Sequence, residues 1–195
     1  MTIHWHKSIA IACLIGIPWL LAGCAVTQPA FYRAPDFKPE SIIQIALLPA
    51  VDARIDKTVA VNLEDRLRKV AAKILKRKGY AVLLSDATRE TAELTNDKLR
   101  AADPALIKRL GPPEARWIMV LALIDLNVSG NADKAEVSGF LYDKEKGTRL
   151  WRDTSICVVG REGGIFGMLT NEKRGNTAIW AAGDQLLLSI PERGK

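Results

Sequence analysis

Apolar positions fall into three kinds of run along the chain, and each kind predicts a different element. Ile42-Ile43-Gln44-Ile45-Ala46-Leu47-Leu48 is almost wholly apolar and is stopped by Pro49, the mark of a short strand buried on both faces. Asp52 to Asp56 is polar and predicts a loop. From Val59 to Lys78 the residues Val59, Leu63, Leu67, Val70 and Ile74 recur at helical spacing, so an amphipathic helix is expected there. Thr58 is its expected N-cap and Gly79 its C′ residue, while Lys76, Arg77 and Lys78 suit the negative end of the helix dipole. Tyr80-Ala81-Val82-Leu83-Leu84 predicts a second strand, and strand, helix and strand together read as a parallel, right-handed βαβ unit.

Residues 85–115 are polar and predict short helical pieces. Asp103-Pro104 is a helix start, an N-cap followed by proline at N1, with Leu106 and Leu110 facing inward and Gly111-Pro112-Pro113 as the stop. Trp117 to Val128 opens with eight consecutive apolar residues and is the longest strand candidate. Ala135 to Tyr142 alternates, with Ala135, Val137, Gly139 and Leu141 on one face. Asp143–Gly147 is a hairpin loop, and Thr148 to Val159 is the returning strand, with Leu150 and Trp151 expected on opposite faces. Asn176 to Ile190 predicts a last helix burying Ile179, Ala182, Leu186 and Ile190. The expected fold class is therefore α/β (α+β): a βαβ unit, a helical connection, an antiparallel three-strand meander and a C-terminal helix, all on a single mixed sheet.

The opening of the chain changes the picture of where this fold works. Met1 to Lys7 is a short, positively charged start, and Ser8 to Leu20 is an apolar run too short to span a bilayer comfortably. Leu21-Ala22-Gly23-Cys24 follows, and this tetrapeptide resembles the lipobox of bacterial lipoproteins. That resemblance implies a signal peptide over 1–23, cleavage before Cys24, and lipidation (diacylglyceryl and an amino-terminal acyl chain such as palmitate) at Cys24. Two or more acyl chains give stable anchoring at about 0.8 kcal/mol per buried CH₂. Ala25 in place of Asp implies the outer membrane, facing the periplasm, in a host with two membranes. Residues 24–40, with Pro29, Pro35 and Pro39, read as a tether, and 41–195 as a single α/β domain. Phe31 and Tyr32 are placed to dock on the domain or to sit at the lipid interface.

Composition then narrows the chemistry. Hydrophobic residues make up 48% of the chain and charged residues 26%, an ordinary globular balance. Both histidines, His4 and His6, lie in the expected leader, so the mature chain offers neither Ser-His-Asp nor Cys-His catalysis nor a histidine-bearing zinc site. Cys13 leaves with the leader and Cys24 is lipidated, so Cys157 has no disulfide partner within one chain and reads as a buried thiol. No cofactor or metal is expected.

Two stretches are candidate contacts. The predicted basic helix carries Arg66, Arg68, Lys69, Lys73, Lys76, Arg77 and Lys78 with no acid after Asp65, either a solvated face or a contact for anionic lipid or a polyanion. Gly160 to Leu169 sets Ile165, Phe166 and Leu169 among Gly163, Gly164 and Gly167, either a connection over the core or a partner or membrane contact. It lacks the Lys-Ser/Thr of a phosphate loop, and the chain shows no aromatic interleaving for nucleic acid. Asp52, Asp56, Glu64 and Asp65 are the remaining acid–base candidates, and a hydrolase using them is the alternative class to a binding protein. A carrier of lipid or glycan is a third.

The order Ile45-Ala46-Leu47-Leu48-Pro49, basic helix, Gly79-Tyr80-Ala81-Val82 and Gly147-Thr148-Arg149-Leu150-Trp151 resembles envelope lipoproteins with a TolB amino-terminal-like domain. That group includes CsgG-like and PelC-like export components and LpoB-like activators of peptidoglycan synthases. The likeness covers roughly residues 41–157 and implies a non-enzymatic accessory lipoprotein of a cell-envelope export or biogenesis system, binding protein partners or copies of itself. No long amphipathic strands of the CsgG membrane-barrel type are present, and no functional residue carries across.

Overall fold

The computed structural model describes residues 31–129, 132–160 and 170–194. It is a mixed α/β fold on one seven-stranded sheet. The strands are β1 (Tyr32–Arg33), β2 (Gln44–Leu47), β3 (Val51–Asp52), β4 (Ala81–Leu84), β5 (Trp117–Ser129), β6 (Ala132–Asp143) and β7 (Thr148–Gly160), in the order β1-β7-β6-β5-β2-β4 with β3 also on β5. β2 is parallel to β4 and to β5, while β5, β6 and β7 form the antiparallel meander. The βαβ unit and the appended meander are both as the sequence predicts.

Side-chain alternation on β5 sorts the core into two layers. Met119, Leu121 and Leu123 face α1 (Lys69–Arg77) and α5 (Asn171–Leu186), together with Leu67, Ala71, Ala178, Ile179 and Ala182. Ile118, Val120 and Ala122 face the short helices α2 (Arg89–Ala92), α3 (Asn96–Ala101) and α4 (Pro104–Ile107), meeting Leu94, Leu99, Ile107 and Leu110. A bulge between Leu123 and Asp125 shifts this phase by one residue, which returns Leu126 to the α5 side. α1 and α5 pack close at Gly183, where an added Cβ would lie 2.8 Å from Leu67 Cδ1.

Several local expectations need correction. The helix begins later than Val59: a π-helical turn over Glu64–Arg68 leads into α1, and the side chain that takes up an N–H of its first turn is Asn62, not Thr58. Asn62 Oδ1 accepts from the Asp65 N–H (3.0 Å), while the Thr58 N–H is taken by Asp56 in a local turn (2.8 Å). Leu150 and Trp151 do not face opposite ways. Leu141 pairs with Trp151 and Tyr142 with Arg149, so Leu150 is the extra residue of a bulge and both side chains join the α5-side core. Val51–Asp52 is a short strand rather than loop, Ile107 is buried more deeply than Leu106, and α5 starts at Asn171, capped by Thr170.

Other expectations stand. Asp103 Oδ1 caps the Ala105 N–H (3.0 Å) ahead of Pro104 at the start of α4. Gly79 ends α1 with φ +90°, and the Tyr80 N–H closes back on Leu75 O (3.1 Å). The packed chain reaches back before Ser41: β1 pairs with β7, and Ala34 and Phe37 are buried in the core. Among the described residues no helix is long and apolar enough to cross a membrane.

Candidate interaction surfaces

In open α/β sheets, ligands bind in the crevice outside the carboxyl ends of the parallel strands, where successive connections leave to opposite faces. Here that point is the end of β2, with β4 and β5 on either side and helices on both faces. Arg68 fills it. Its Nη2 donates to Leu47 O (3.0 Å) and to Ser85 O, joining the ends of β2 and β4. Its Nη1 meets both oxygens of Glu64 (3.2 and 3.0 Å). The residue that the sequence places on a basic surface stripe is thus 7% exposed and closes the crevice with protein.

The carboxylates around it are each tied to a partner. Asp52 holds Arg54 in a two-pronged pair, Nε to Oδ1 and Nη2 to Oδ2, both 2.8 Å. Burial pushes the Asp52 carboxyl up, but the hydrogen bond and charge of Arg54 outweigh it, and its pKa lies below the ordinary value. Backbone and side-chain hydrogen bonds from Thr58 lower Asp56. The Lys69 hydrogen bond, then that from Asn62, lowers Asp65. A general acid near neutral pH needs a raised pKa. Three of the four candidates are shifted the other way, and Glu64 is spent on Arg68. Among the described residues no cluster of three or more His, Cys, Asp or Glu is arranged to hold a metal.

Of the predicted contact residues, Arg66, Lys69, Lys73 and Arg77 are exposed on the helix that carries Arg68 on its inner side. Lys69 is paired with Asp65 (2.6 Å), and Lys78 reaches back to the carbonyls of Ile190 (2.7 Å) and Leu188 (3.3 Å). The stripe is therefore narrower than the sequence implies. Cys24 and the segment with Gly163, Gly164, Ile165, Phe166 and Gly167 lie outside the described residues.

A further surface was not legible in the sequence. β7 has thirteen residues, and among the described residues β1 pairs with Trp151 and Arg152 alone on its outer side. Ser155, Cys157 and Val159 turn toward α5, where Ser155 Oγ donates to Gln185 Oε1 (3.2 Å). Ile156 and Val158 turn the other way and are 53% and 61% exposed, beyond the reach of α2–α4. Ile-Cys-Val-Val reads as core, and only the mismatch between a long strand and a short neighbour reveals the edge.

No protein-family model matches the chain, and no curated protein matches it in sequence. The likeness is to solved structures. The PelC dodecamer from Paraburkholderia phytofirmans superposes with a TM-score of 0.51 at 15% identity, covering 85% of this chain and 96% of that one. The hypothetical protein CT253 from Chlamydia trachomatis gives 0.48 at 11% identity (76% and 92% covered). The lipoprotein GNA1162 from Neisseria meningitidis gives 0.45 at 15% identity (75% and 99% covered). At such identities the likeness is one of fold, and the fold is PelC-like.

Proposed function

We propose that this chain is a non-enzymatic envelope lipoprotein, anchored through Cys24 at the outer membrane and facing the periplasm, that works by binding protein partners or copies of itself in an export or biogenesis system. The observation that carries the reading is where the fold is closed and where it is open. The crevice that would receive a small ligand is filled by Arg68, while the edge and outer face of β7 present backbone and apolar side chains to a partner. PelC forms a dodecamer, and assembly with further copies is one form these contacts take here. On this reading residues 1–23 are the leader, 24–40 join the anchor to the folded part, and 41–195 hold most of the domain. Gly163–Gly167, directly after β7 in the chain, and the exposed cations Arg66, Lys73 and Arg77 are further contact positions. The pairing of Asp52 with Arg54 and of Asp65 with Lys69 weighs against the hydrolase alternative.

The test is palmitate labelling and membrane fractionation of the native chain and Cys24→Ala, followed by sizing of the detergent-extracted complex. Label and outer-membrane location lost together in the variant, with a native complex larger than one chain, are the expected results. A label that never appears removes the anchor, and a monomer without partners removes the assembly role.

A further inference from the structure

α1 and α5 lie side by side on one face of the sheet, and two contacts fix how they are turned. The Asn62 N–H, just before the π-helical turn, donates to Asn176 Oδ1 (2.9 Å), and Gly183 lies against Leu67. Residue numbers rise together from one contact to the other, so the two helices run in the same direction. On α5, Trp180 falls four residues after Asn176 and three before Gly183, which puts it on the α1 side of the helix. Unlike those two it is not covered: Trp180 is 47% exposed, and Leu188, just past the end of the same helix, is 69% exposed.

The matching side of α1 carries a second set. Leu67 and Ile74 point inward, and one step outward Arg66, Val70, Lys73 and Arg77 follow at intervals of four, three and four, a ridge along the helix. Val70 is packed against the core shared with α5, while Arg66, Lys73 and Arg77 are exposed. Arg68 and Lys69 in the same stretch are taken up by Glu64 and Asp65, whereas among the described residues no carboxylate holds the other three. Asp184, one turn after Trp180, is the acid next to it on α5, and the face as a whole stays cationic.

An exposed indole and a leucine among unpaired cations are the side chains of a headgroup layer. Tryptophan settles where acyl chains meet water. Arginine and lysine lay their stems along apolar surface while their charges reach phosphate. The centre of a protein interface is built differently, with lysine depleted. We propose that α1 and α5 together form a lipid-facing surface, on which Trp180 and Leu188 enter the headgroup layer of an anionic bilayer and Arg66, Lys73 and Arg77 bind its phosphates. On the anchoring reading, and resting on it, the acyl chains at Cys24 bring the domain to the bilayer and this face sets how it lies there. The sheet then runs along the membrane, and Ile156 and Val158, which turn away from α5, face the periplasm and its proteins.

The lipidated chain is reconstituted into vesicles of phosphatidylcholine, alone or mixed with phosphatidylglycerol, whose brominated acyl chains quench any tryptophan that reaches them. Trp180→Phe supplies the background of the other tryptophans, among which Trp151 is fully buried. The expected result is a fluorescence loss several-fold larger in the native chain than in Trp180→Phe, seen with the mixed vesicles. Arg66→Gln/Lys73→Gln/Arg77→Gln and high salt should each bring it down toward that background. Equal losses in the native chain and Trp180→Phe overturn the proposal, and so does a Trp180 signal indifferent to lipid charge and salt. Shielding of Trp180 from aqueous iodide without quenching by the brominated lipid assigns the face to a protein and overturns it as well. The lipid and salt comparisons use the native chain, so they decide the matter even if a variant fails to fold. Palmitate labelling of the same sample keeps the two readings apart. An unlabelled chain is mixed with the same vesicles instead: Trp180 quenched by them keeps the face and removes the anchor, and Trp180 unquenched removes both.

Discussion

The sheet has a closed half and an open half, and the contrast between them locates what the fold is built to expose. Around β2 and the first residues of β5, both faces are covered, by α1 and α5 on one side and α2–α4 on the other. Even the carboxyl ends of the parallel strands are sealed by a guanidinium. Past the bulge at Ile124, β5 continues beside β6 and β7 with cover, among the described residues, on one face only. α5 lies against Leu126, Ala135 and Cys157, while Ile156 and Val158 face outward beside an ion pair between Lys134 and Asp125 (3.6 Å). Burial on both faces is what a stable core requires, and extended strands with one bare face are what an assembly surface requires. One sheet meets both demands by lengthening three of its strands.

Substitutions should separate the halves sharply. Trp151→Ala removes a fully buried ring that packs against Gly139, where an added Cβ would lie 2.8 Å from the ring. A loss of about 4 kcal/mol is expected, read as a lower urea midpoint. Arg68→Met keeps the bulk of the side chain but takes its donor from Ser85 O, leaves Leu47 O only the Ser85 N–H (3.2 Å) and leaves Glu64 without its partner, for a loss of about 3 kcal/mol by the same measurement. An unchanged midpoint there would mean that the crevice is open to water and free for a ligand.

The acid response is a finer probe of the closed half. Asp52 has a folded pKa below its ordinary 3.8. Its contribution is fully present above that value and is lost as pH falls through the folded pKa. Asp52→Asn should therefore flatten the acid limb of a melting-temperature series taken from pH 6 downward, and an unchanged limb would place Arg54 elsewhere in solution. The smallest effects belong to the open half. Ile156→Ser and Val158→Ser should each move stability by no more than about 0.5 kcal/mol, yet weaken the sized complex. Stability lost with assembly intact would reverse the assignment of the two halves.

Much of the closed half was legible in the sequence because it obeys simple periods. The apolar runs at Ile42–Leu48 and Trp117–Ile124, the helical spacing through Leu67 and Ile74, and the Asp103-Pro104 start each name their element. What escaped is what a period cannot encode. One-residue bulges at Ile124 and Leu150 reverse which face a side chain takes, and nothing in Leu150-Trp151 announces it. Arg68 sits between the buried Leu67 and the exposed Lys69, so whether it joins the solvent stripe or turns inward depends on carbonyls twenty-one and seventeen residues away. The open edge was hidden for a related reason: strand neighbours are set by chain topology, and an apolar strand reads the same whether or not a partner lies alongside.

The pairing of β1 with β7 also has a kinetic side. The meander joins strands through two short connections, so its contacts close small loops and form early. β1 meets its partner only after a loop of more than a hundred residues has closed, and among the described residues it contributes a ladder two residues long. A strand made before all the others described is thus the last to lock. Until it does, a folded molecule carries a bare strand edge along all of β7, and that interval is when a misplaced strand from a neighbouring molecule competes best.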